Sequence, residues 1–107
     1  AAMQYFLKLK DRPTAIICSN DVRAMGAIGE AHRNGFLVPR DFSFIGMDNI
    51  ADSEFIYPSL TTFDFQHRKI SHILADVLLN RIKHPEAEIQ TLKMSPTLII
   101  RDSCRKI

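Results

Sequence analysis

Cysteine is scarce in this sequence, with two among 107 residues. Two cysteines are too few for the disulfide scaffold that small secreted domains use in place of a large core. Cys18 follows an apolar stretch, so we expect a buried thiol that takes no part in chemistry. Cysteine usage of this kind fits a reducing, cytoplasmic setting.

An excess of one charge and long apolar runs are absent as well. The 14 Lys and Arg residues nearly balance the 12 Asp and Glu residues, giving a formal net charge of +2, which lacks the basic footprint of a nucleic-acid-binding surface. We expect the basic residues near the end (Arg101, Arg105 and Lys106) to form a solvated tail. No segment approaches the roughly 20 apolar residues of a membrane-spanning helix, and no leader peptide is visible. The chain starts without an initiator methionine, so we expect a piece of a longer protein.

The common catalytic and metal-binding motifs are also missing. There is no Gly-x-Ser-x-Gly elbow, no Gly-rich phosphate loop and no His-Glu-x-x-His. His72 and Asp76 are four residues apart in a predicted helix, and His67 precedes them, but no third ligand has the spacing of a metal site. We therefore expect no metal, no cofactor and no enzymatic activity.

Short apolar stretches alternate with helical patterns along the chain. Strands are predicted at 14–18, 42–47 and 60–65, and helices at 21–33 and 67–83. The remaining predicted elements are a short helix at 3–10, an irregular stretch at 49–59 and extended segments at 88–92 and 96–101. A strand, a helix and a second apolar strand form a β-α-β unit with a right-handed crossover. The sequence thus predicts an α/β fold with a doubly wound, mostly parallel sheet.

Polar residues cluster where the first two predicted strands end. Ser19-Asn20-Asp21 follows the first strand, and Asp48-Asn49 follows the second. Because ligands of open α/β sheets bind outside the carboxyl ends of the strands, this pattern predicts half of a small-molecule cleft. The amide of Asn20 suits sugar hydroxyls or the edge of a purine, but a helix N-cap explains it equally well. The carboxylate of Asp48 suits vicinal hydroxyls or a ring nitrogen, or simply a turn.

Eight short motifs follow one another in register along the chain. They are Pro13-Thr14-Ala15-Ile16-Ile17, Ser19-Asn20-Asp21, Ala24-Met25-Gly26-Ala27, Asn34-Gly35, Val38-Pro39-x-Asp41-x-Ser43, Gly46-x-Asp48-Asn49, Tyr57-Pro58-x-Leu60-Thr61-Thr62 and Leu98-Ile99-Ile100-Arg101-Asp102-Ser103. Their order and spacing resemble the LacI/GalR family of bacterial transcription regulators over nearly the whole chain.

The resemblance implies a periplasmic-binding-protein-like fold of two doubly wound subdomains, preceded by a DNA-binding headpiece. Residues 1–107 would be the C-terminal part of the effector-binding and dimerisation domain, without the headpiece and most of the N-terminal subdomain. The implied function is sensing of a sugar- or nucleoside-like effector, with operator DNA bound only through the missing headpiece. The alternative is a periplasmic sugar-binding protein of an uptake system, and a free-standing hydrolase is a distant third.

The resemblance also implies particular effector contacts. It assigns such contacts to Asn20 and Asp48, with Asp21 taking the cap of the following helix. Phe65 lies where the chain should cross between subdomains, so its ring either stacks on the effector or belongs to the core. Asn49 stands where the family often has a second acidic residue, which leaves its role open.

A two-fold dimer interface is a further implication of the resemblance. It would use one face of the first long helix and the loop after the second strand: Met25, Ile28, Gly29, His32, Phe55 and Ile56. The alternative is that this helix face packs on its own sheet. Helix 67–83 would pack on the missing subdomain, so its exposed apolar stripe either folds back on this domain or exchanges with a second copy.

Overall fold

The elements of the chain follow one another in a mixed α/β order. A computed structural model describes residues 2–106. The elements are α1 (Ala2–Lys8), β1 (Ala15–Ile17), α2 (Asp21–Arg33), β2 (Ser43–Met47), α3 (Asp52–Phe55), β3 (Thr61–Asp64), α4 (His67–Lys83) and β4 (Thr97–Ile99). The predicted bounds of the two long helices are confirmed.

The four strands form one sheet in the order β1-β2-β3-β4. The first three strands are parallel, with Ile17 opposite Ile45 and Ile45 opposite Thr61. The last strand returns antiparallel, with Thr62 opposite Ile99. The mostly parallel α/β sheet predicted from the sequence is therefore confirmed, and its parallel strands end at a common edge.

The core lies between the sheet and one stripe of α2. Ala24, Ile28 and Ala31 follow the spacing of a single helix face and are buried. They form one cluster with residues of the second strand, of the segments next to it and of α1: Met3, Val38, Phe42, Phe44 and Leu60. Val22, which could have faced the sheet instead, is exposed. The helix is thus oriented by two alanines and one isoleucine.

Two predicted segments differ from the structure. The irregular stretch 49–59 contains the single helical turn α3. The segment 88–92 forms no strand, and β4 is the shorter segment Thr97–Ile99. Ile89 and Leu92 are consequently exposed.

Helix α4 stands away from the sheet. None of its residues is buried, and Leu74 and Leu78 of its apolar stripe are each 60% exposed. The radius of gyration is 18.3 Å, against about 13 Å for a compact domain of this length. The expectation that the stripe folds back on this domain is therefore not met. Within residues 2–106, no helix has the length and apolar character needed to cross a membrane.

Candidate functional site

The first polar strand end is organised by the cap of α2. Asn20 has an extended backbone and its Oδ1 accepts a hydrogen bond from the backbone N–H of Arg23 at 2.9 Å. Asn20 is therefore the N-cap, and the prediction that Asp21 takes the cap is wrong. The reason is positional: an N-cap side chain must bond a backbone N–H two or three residues on, and only Asn20 does so here.

Asp21 is instead a buried residue whose carboxylate links α2 to β3 and to the loop after β2. It has 0% exposure. Its Oδ1 accepts from the Thr62 hydroxyl at 2.5 Å, and its Oδ2 accepts from the backbone N–H of Ile50 at 2.9 Å. The carboxylate also sits in the first turn of α2, where negative charge complements the helix dipole. These bonds bring the ends of the first three strands together at one edge of the sheet.

Gly46 makes room for this buried carboxylate. A Cβ at position 46 would overlap Asp21 Oδ1 and would lie 2.8 Å from Leu60 Cδ2. The glycine is therefore required by close approach rather than by a turn. Within the Gly-x-Asp-Asn motif, Gly46 leaves space for the Asp21 side chain, and Asp48 and Asn49 form the turn at the end of β2.

The second polar strand end has an unusual backbone. Asp48 and Asn49 both have positive φ, 108° and 50°, a region that side chains other than glycine rarely adopt. The Asp48 N–H donates to the carbonyl of Phe63 at 2.9 Å, and the Asn49 N–H donates to the Thr62 hydroxyl at 3.4 Å. The neighbouring strand thus holds the turn and directs the Asp48 side chain outward.

A polar concavity of about 540 Å³ opens beside Asp48. The carboxylate is 37% exposed, and its Oδ1 lies 3.4 Å from Nε2 of His67. The lining comes from the two strand ends and the first turns of α4: Asp48, Asn49, Asp64, Gln66, His67, Arg68, Lys69 and His72. This set offers carboxylates, amides, imidazoles and cationic donors, which suits a ligand rich in hydroxyl groups or ring nitrogens.

The predicted effector residues are placed differently around this cavity. Asp48 lines it, whereas Asn20 and Phe65 do not. Phe65 is half-buried, with its ring centroid 6.1 Å from that of His67. Sequence reasoning missed the contribution of the first turns of α4. The available signal was three basic residues in sequence (67–69) directly after a strand end.

Arg101 is a second residue that sequence reasoning misplaced. The prediction that it belongs to a solvated tail is wrong. The side chain is half-buried, and its guanidinium donates to Asn49 Oδ1 at 2.9 Å and to the carbonyl of Leu60 at 2.8 Å. Its position just after β4 carries it inward, because that strand pairs with β3 beside the polar edge.

A second concavity, of about 550 Å³, shares no lining residue with the first. Its lining comes from α1, α2 and β1 and includes Met3, Phe6 and Ile16. It contains neither Asp48 nor Asn20. The thiol of Cys18, which also lines it, has its pKa raised by burial, and a raised pKa makes a thiol a poorer nucleophile at neutral pH. We therefore place the candidate site at the polar cavity.

The predicted dimer surface is only partly available. Ile28 is 3% exposed and lies in the core, so its assignment to an interface is corrected: the stripe it shares with Ala24 packs on the sheet. Met25 and Ile56 pack partly against the same core, while Gly29 and His32 are half-exposed. Phe55 is 81% exposed, and Tyr57 beside it 88%. Residues 2–106 hold no group of three His, Cys, Asp or Glu side chains arranged for an ion.

Fold and strand ends together define an α/β domain of the class that binds small molecules at a sheet edge. The family model for the periplasmic binding protein-like domain matches residues 1–104. The HTH-type transcriptional repressor PurR of Mannheimia succiniciproducens is 42% identical over 105 residues, covering 98% of this chain and 31% of the relative.

Two solved structures support the same assignment. A LacI-type transcription regulator from Bifidobacterium animalis subsp. lactis has a TM-score of 0.87 and 32% identity, covering 97% of this chain and 37% of that one. A LacI family transcriptional regulator from Enterococcus faecalis, with bound ribose, has a TM-score of 0.86 and 31% identity, covering 96% and 38%. The chain belongs to the periplasmic binding protein-like domain family, and its similarity to LacI-type regulators extends over nearly its whole length. It spans about a third of the length of the curated relatives it matches.

Proposed function

We propose that this chain is the effector-sensing and dimerisation portion of a LacI/GalR-like transcription regulator. The observation that carries the proposal is the half-exposed Asp48 carboxylate at the mouth of a polar cavity, at the carboxyl edge of the parallel strands. The effector is a sugar- or nucleoside-like molecule whose hydroxyls or ring nitrogens donate to that carboxylate. Asn20 and Phe65 follow the neighbouring strands outside the lining of this cavity, and we assign them further contacts to an effector that extends beyond it.

The effector acts by shifting a conformational equilibrium. It bridges this lobe and a second lobe supplied by the rest of the parent protein. The arrangement of lobes that makes more contacts with the effector gains population. Because the lobes carry the DNA-binding headpieces, operator affinity changes by the same coupling free energy that links the two sites.

Residues 1–107 form the C-terminal part of the effector-binding domain. The headpiece and most of the N-terminal subdomain belong to the parent protein outside these residues. Two observations support this arrangement: the curated relatives are about three times as long, and the apolar stripe of α4 is exposed. In the parent, that stripe packs on the N-terminal subdomain.

The remaining surface of α2 and the loop around α3 form a dimer interface. It includes Met25, Gly29, His32, Phe55 and Ile56. The strong exposure of Phe55 and Tyr57, two residues apart in this loop, supports this assignment, since exposed apolar side chains that cluster mark interaction surfaces. The protein is a cytoplasmic regulator without enzymatic activity, metal or cofactor, as expected from relatives named as transcriptional repressors.

Calorimetric titration of the full-length parent protein tests the effector site. The probes are ribose, adenosine and adenine, which separate a sugar, a nucleoside and a free base. Asp48→Asn should weaken the bound probe about tenfold or more, because a hydrogen bond to a charged group contributes about 1.5–3 kcal/mol. Asp11→Asn, which changes an exposed carboxylate in the turn before β1, is the matched control and should leave affinity unchanged.

Asn20→Ser separates the two roles of Asn20. Serine retains an N-cap acceptor but removes the amide donor, so affinity should fall while thermal stability is retained. Equal affinity in Asn20→Ser would leave Asn20 as a cap alone. Absence of binding to all three probes, or unchanged affinity in Asp48→Asn, would overturn the proposed site.

A further inference from the structure

A chain of polar contacts runs beside Asp48, from the segment after β4 to the start of α4, and two of its members, Asn49 and Asp64, also line the cavity. Arg101 donates to Asn49 Oδ1 at 2.9 Å. Asn49 Nδ2 donates in turn to Asp64 Oδ2 at 3.2 Å. Asp64 Oδ1 then accepts from the backbone N–H of Gln66 at 2.6 Å. We call Arg101, Asn49 and Asp64 the relay.

The guanidinium of Arg101 is used in an unusual way. Within the described residues it forms no ion pair, and its donors go to neutral oxygens: Asn49 Oδ1, the carbonyl of Leu60 and the hydroxyl of Ser53. The Asn49 amide bridges the positive charge of Arg101 and the negative charge of Asp64, accepting a hydrogen bond from the first and donating one to the second. An amide is the side chain that accepts from a cation and donates to a carboxylate at the same time.

The relay contacts a stretch of backbone whose φ angles are unfavourable for residues with side chains. Asp48 and Asn49 have consecutive positive φ values, which persist only when the surroundings fix them. Asn49 is fixed at both ends of its side chain, by Arg101 and by Asp64. Because Asp48 is the preceding residue, the direction of its carboxylate depends on this anchoring.

We propose that Arg101 and Asn49 are positioning residues for the Asp48 carboxylate, which binds the effector, and that Asp64 couples this carboxylate to the first turn of α4. The inference rests on the proposed function, since it assigns a regulatory connection to the same site. Asp64 contacts both the Asp48–Asn49 turn and the chain entering α4, so a change in one is transmitted to the other. His67, on that first turn, lies next to Asp48, with its Nε2 3.4 Å from Asp48 Oδ1.

The relay also explains why residue 49 is an asparagine. An aspartate there would satisfy Arg101 but would face the Asp64 carboxylate without a proton to donate. Two carboxylates at hydrogen-bond distance repel each other. Moving the negative charge from 64 to 49 removes that conflict, because an asparagine at 64 donates to the new carboxylate.

This charge exchange supplies the experiment. The full-length parent protein is prepared as wild type, Asn49→Asp, Asp64→Asn and the double variant. Affinity is measured by calorimetry with ribose, adenosine and adenine, and thermal unfolding is recorded without probe. We expect Asn49→Asp to weaken the bound probe about tenfold and the double variant to recover affinity to within about threefold of wild type.

Amide hydrogen exchange by NMR provides a readout that needs no effector. Asn49→Asp should accelerate exchange at the N–H groups of Asp48 and Gln66 together, and the double variant should restore protection at both. Arg101→Met should accelerate amide exchange at the Asp48 N–H and weaken probe binding. The control is Arg105→Met, which changes an exposed arginine of the same segment and should alter neither the exchange rate nor the affinity.

The outcomes separate the relay from the proposed function. If the wild type binds no probe but the exchange pattern appears and is restored, the effector assignment fails and the relay stands. If the wild type binds and the double variant does not recover, or if exchange at Asp48 and Gln66 responds independently, the relay is overturned. Loss of thermal stability with unchanged affinity in Asn49→Asp reduces it to an ordinary structural contact.

Discussion

Single residues in this chain have roles that follow from close approach. Asp21, Gly46 and Thr62 meet at the point where α2 passes over the ends of the strands. The buried carboxylate has two protein donors and a helix N-terminus, which offset the cost of removing it from water. A Cβ at position 46 would overlap Asp21 Oδ1, the oxygen that accepts from the Thr62 hydroxyl, so a side chain there would disturb this contact.

Alanine substitutions at two glycines test this close approach. Gly46→Ala should lower the free energy of unfolding by about 1–3 kcal/mol, because the new methyl group overlaps Asp21 and Leu60. Gly26→Ala should raise it by about 0.5–1 kcal/mol, since that helical glycine has nothing within 4 Å of a new Cβ. Urea unfolding of both variants provides the comparison. Equal stability of Gly46→Ala and wild type would contradict the tight contact.

The elements of the chain differ in how completely they are packed. Helix α2 is amphipathic and uses its apolar stripe on its own sheet. Helix α4 has an apolar stripe of similar length, but every residue on it remains at least partly exposed. A helix whose stripe has no partner keeps apolar surface in contact with water. This exposure is the basis of the proposal that a second lobe covers the α4 stripe in the parent protein.

Substitution of two α4 leucines distinguishes this requirement from ordinary surface exposure. In the 107-residue chain alone, Leu74→Gln with Leu78→Gln should reduce self-association, measured by light scattering. In the full-length protein the same pair of substitutions should lower the free energy of unfolding by about 2–4 kcal/mol if the proposed second lobe buries the two leucines.

The control for this experiment is Asn80→Gln, which changes an exposed polar residue of α4 and should affect neither measurement. A wild-type 107-residue chain that stays monomeric at high concentration would remove exchange of α4 with a second copy. If the leucine substitutions leave the free energy of unfolding of the full-length protein unchanged, the proposal that a second lobe covers the α4 stripe is wrong.

At the scale of the whole molecule, two surfaces are candidates for binding a partner, and they consist of different residues. One is the polar cavity at the sheet edge, where the effector site is proposed. The other is the exposed aromatic pair Phe55 and Tyr57 next to the free face of α2. Separate surfaces allow effector binding and self-association to be altered independently.

Phe55→Ser tests the second surface in the full-length protein. We expect the dimer dissociation constant to rise about tenfold or more, because a buried aromatic side chain contributes several times the thermal energy to an interface. Sedimentation velocity over a concentration series measures it, and effector affinity of the monomer should be retained. Tyr5→Ser, which removes an exposed aromatic from α1, is the control. A dimer unaffected by Phe55→Ser would exclude this loop from the interface.

The sequence by itself determined the class of fold, the two long helices and the polar strand ends. These features depend on local periodicity and on residues such as Asn20 and Asp48 that follow apolar strands. Only the tertiary structure decided which side chains share a contact. Asp21 became a buried tie rather than a cap, Ile28 a core residue rather than an interface residue, and Arg101 an anchor rather than part of a solvated tail. Each of these outcomes depends on residues more than 15 positions away in the chain, and such distances are fixed by sheet order and helix orientation, which no local pattern contains.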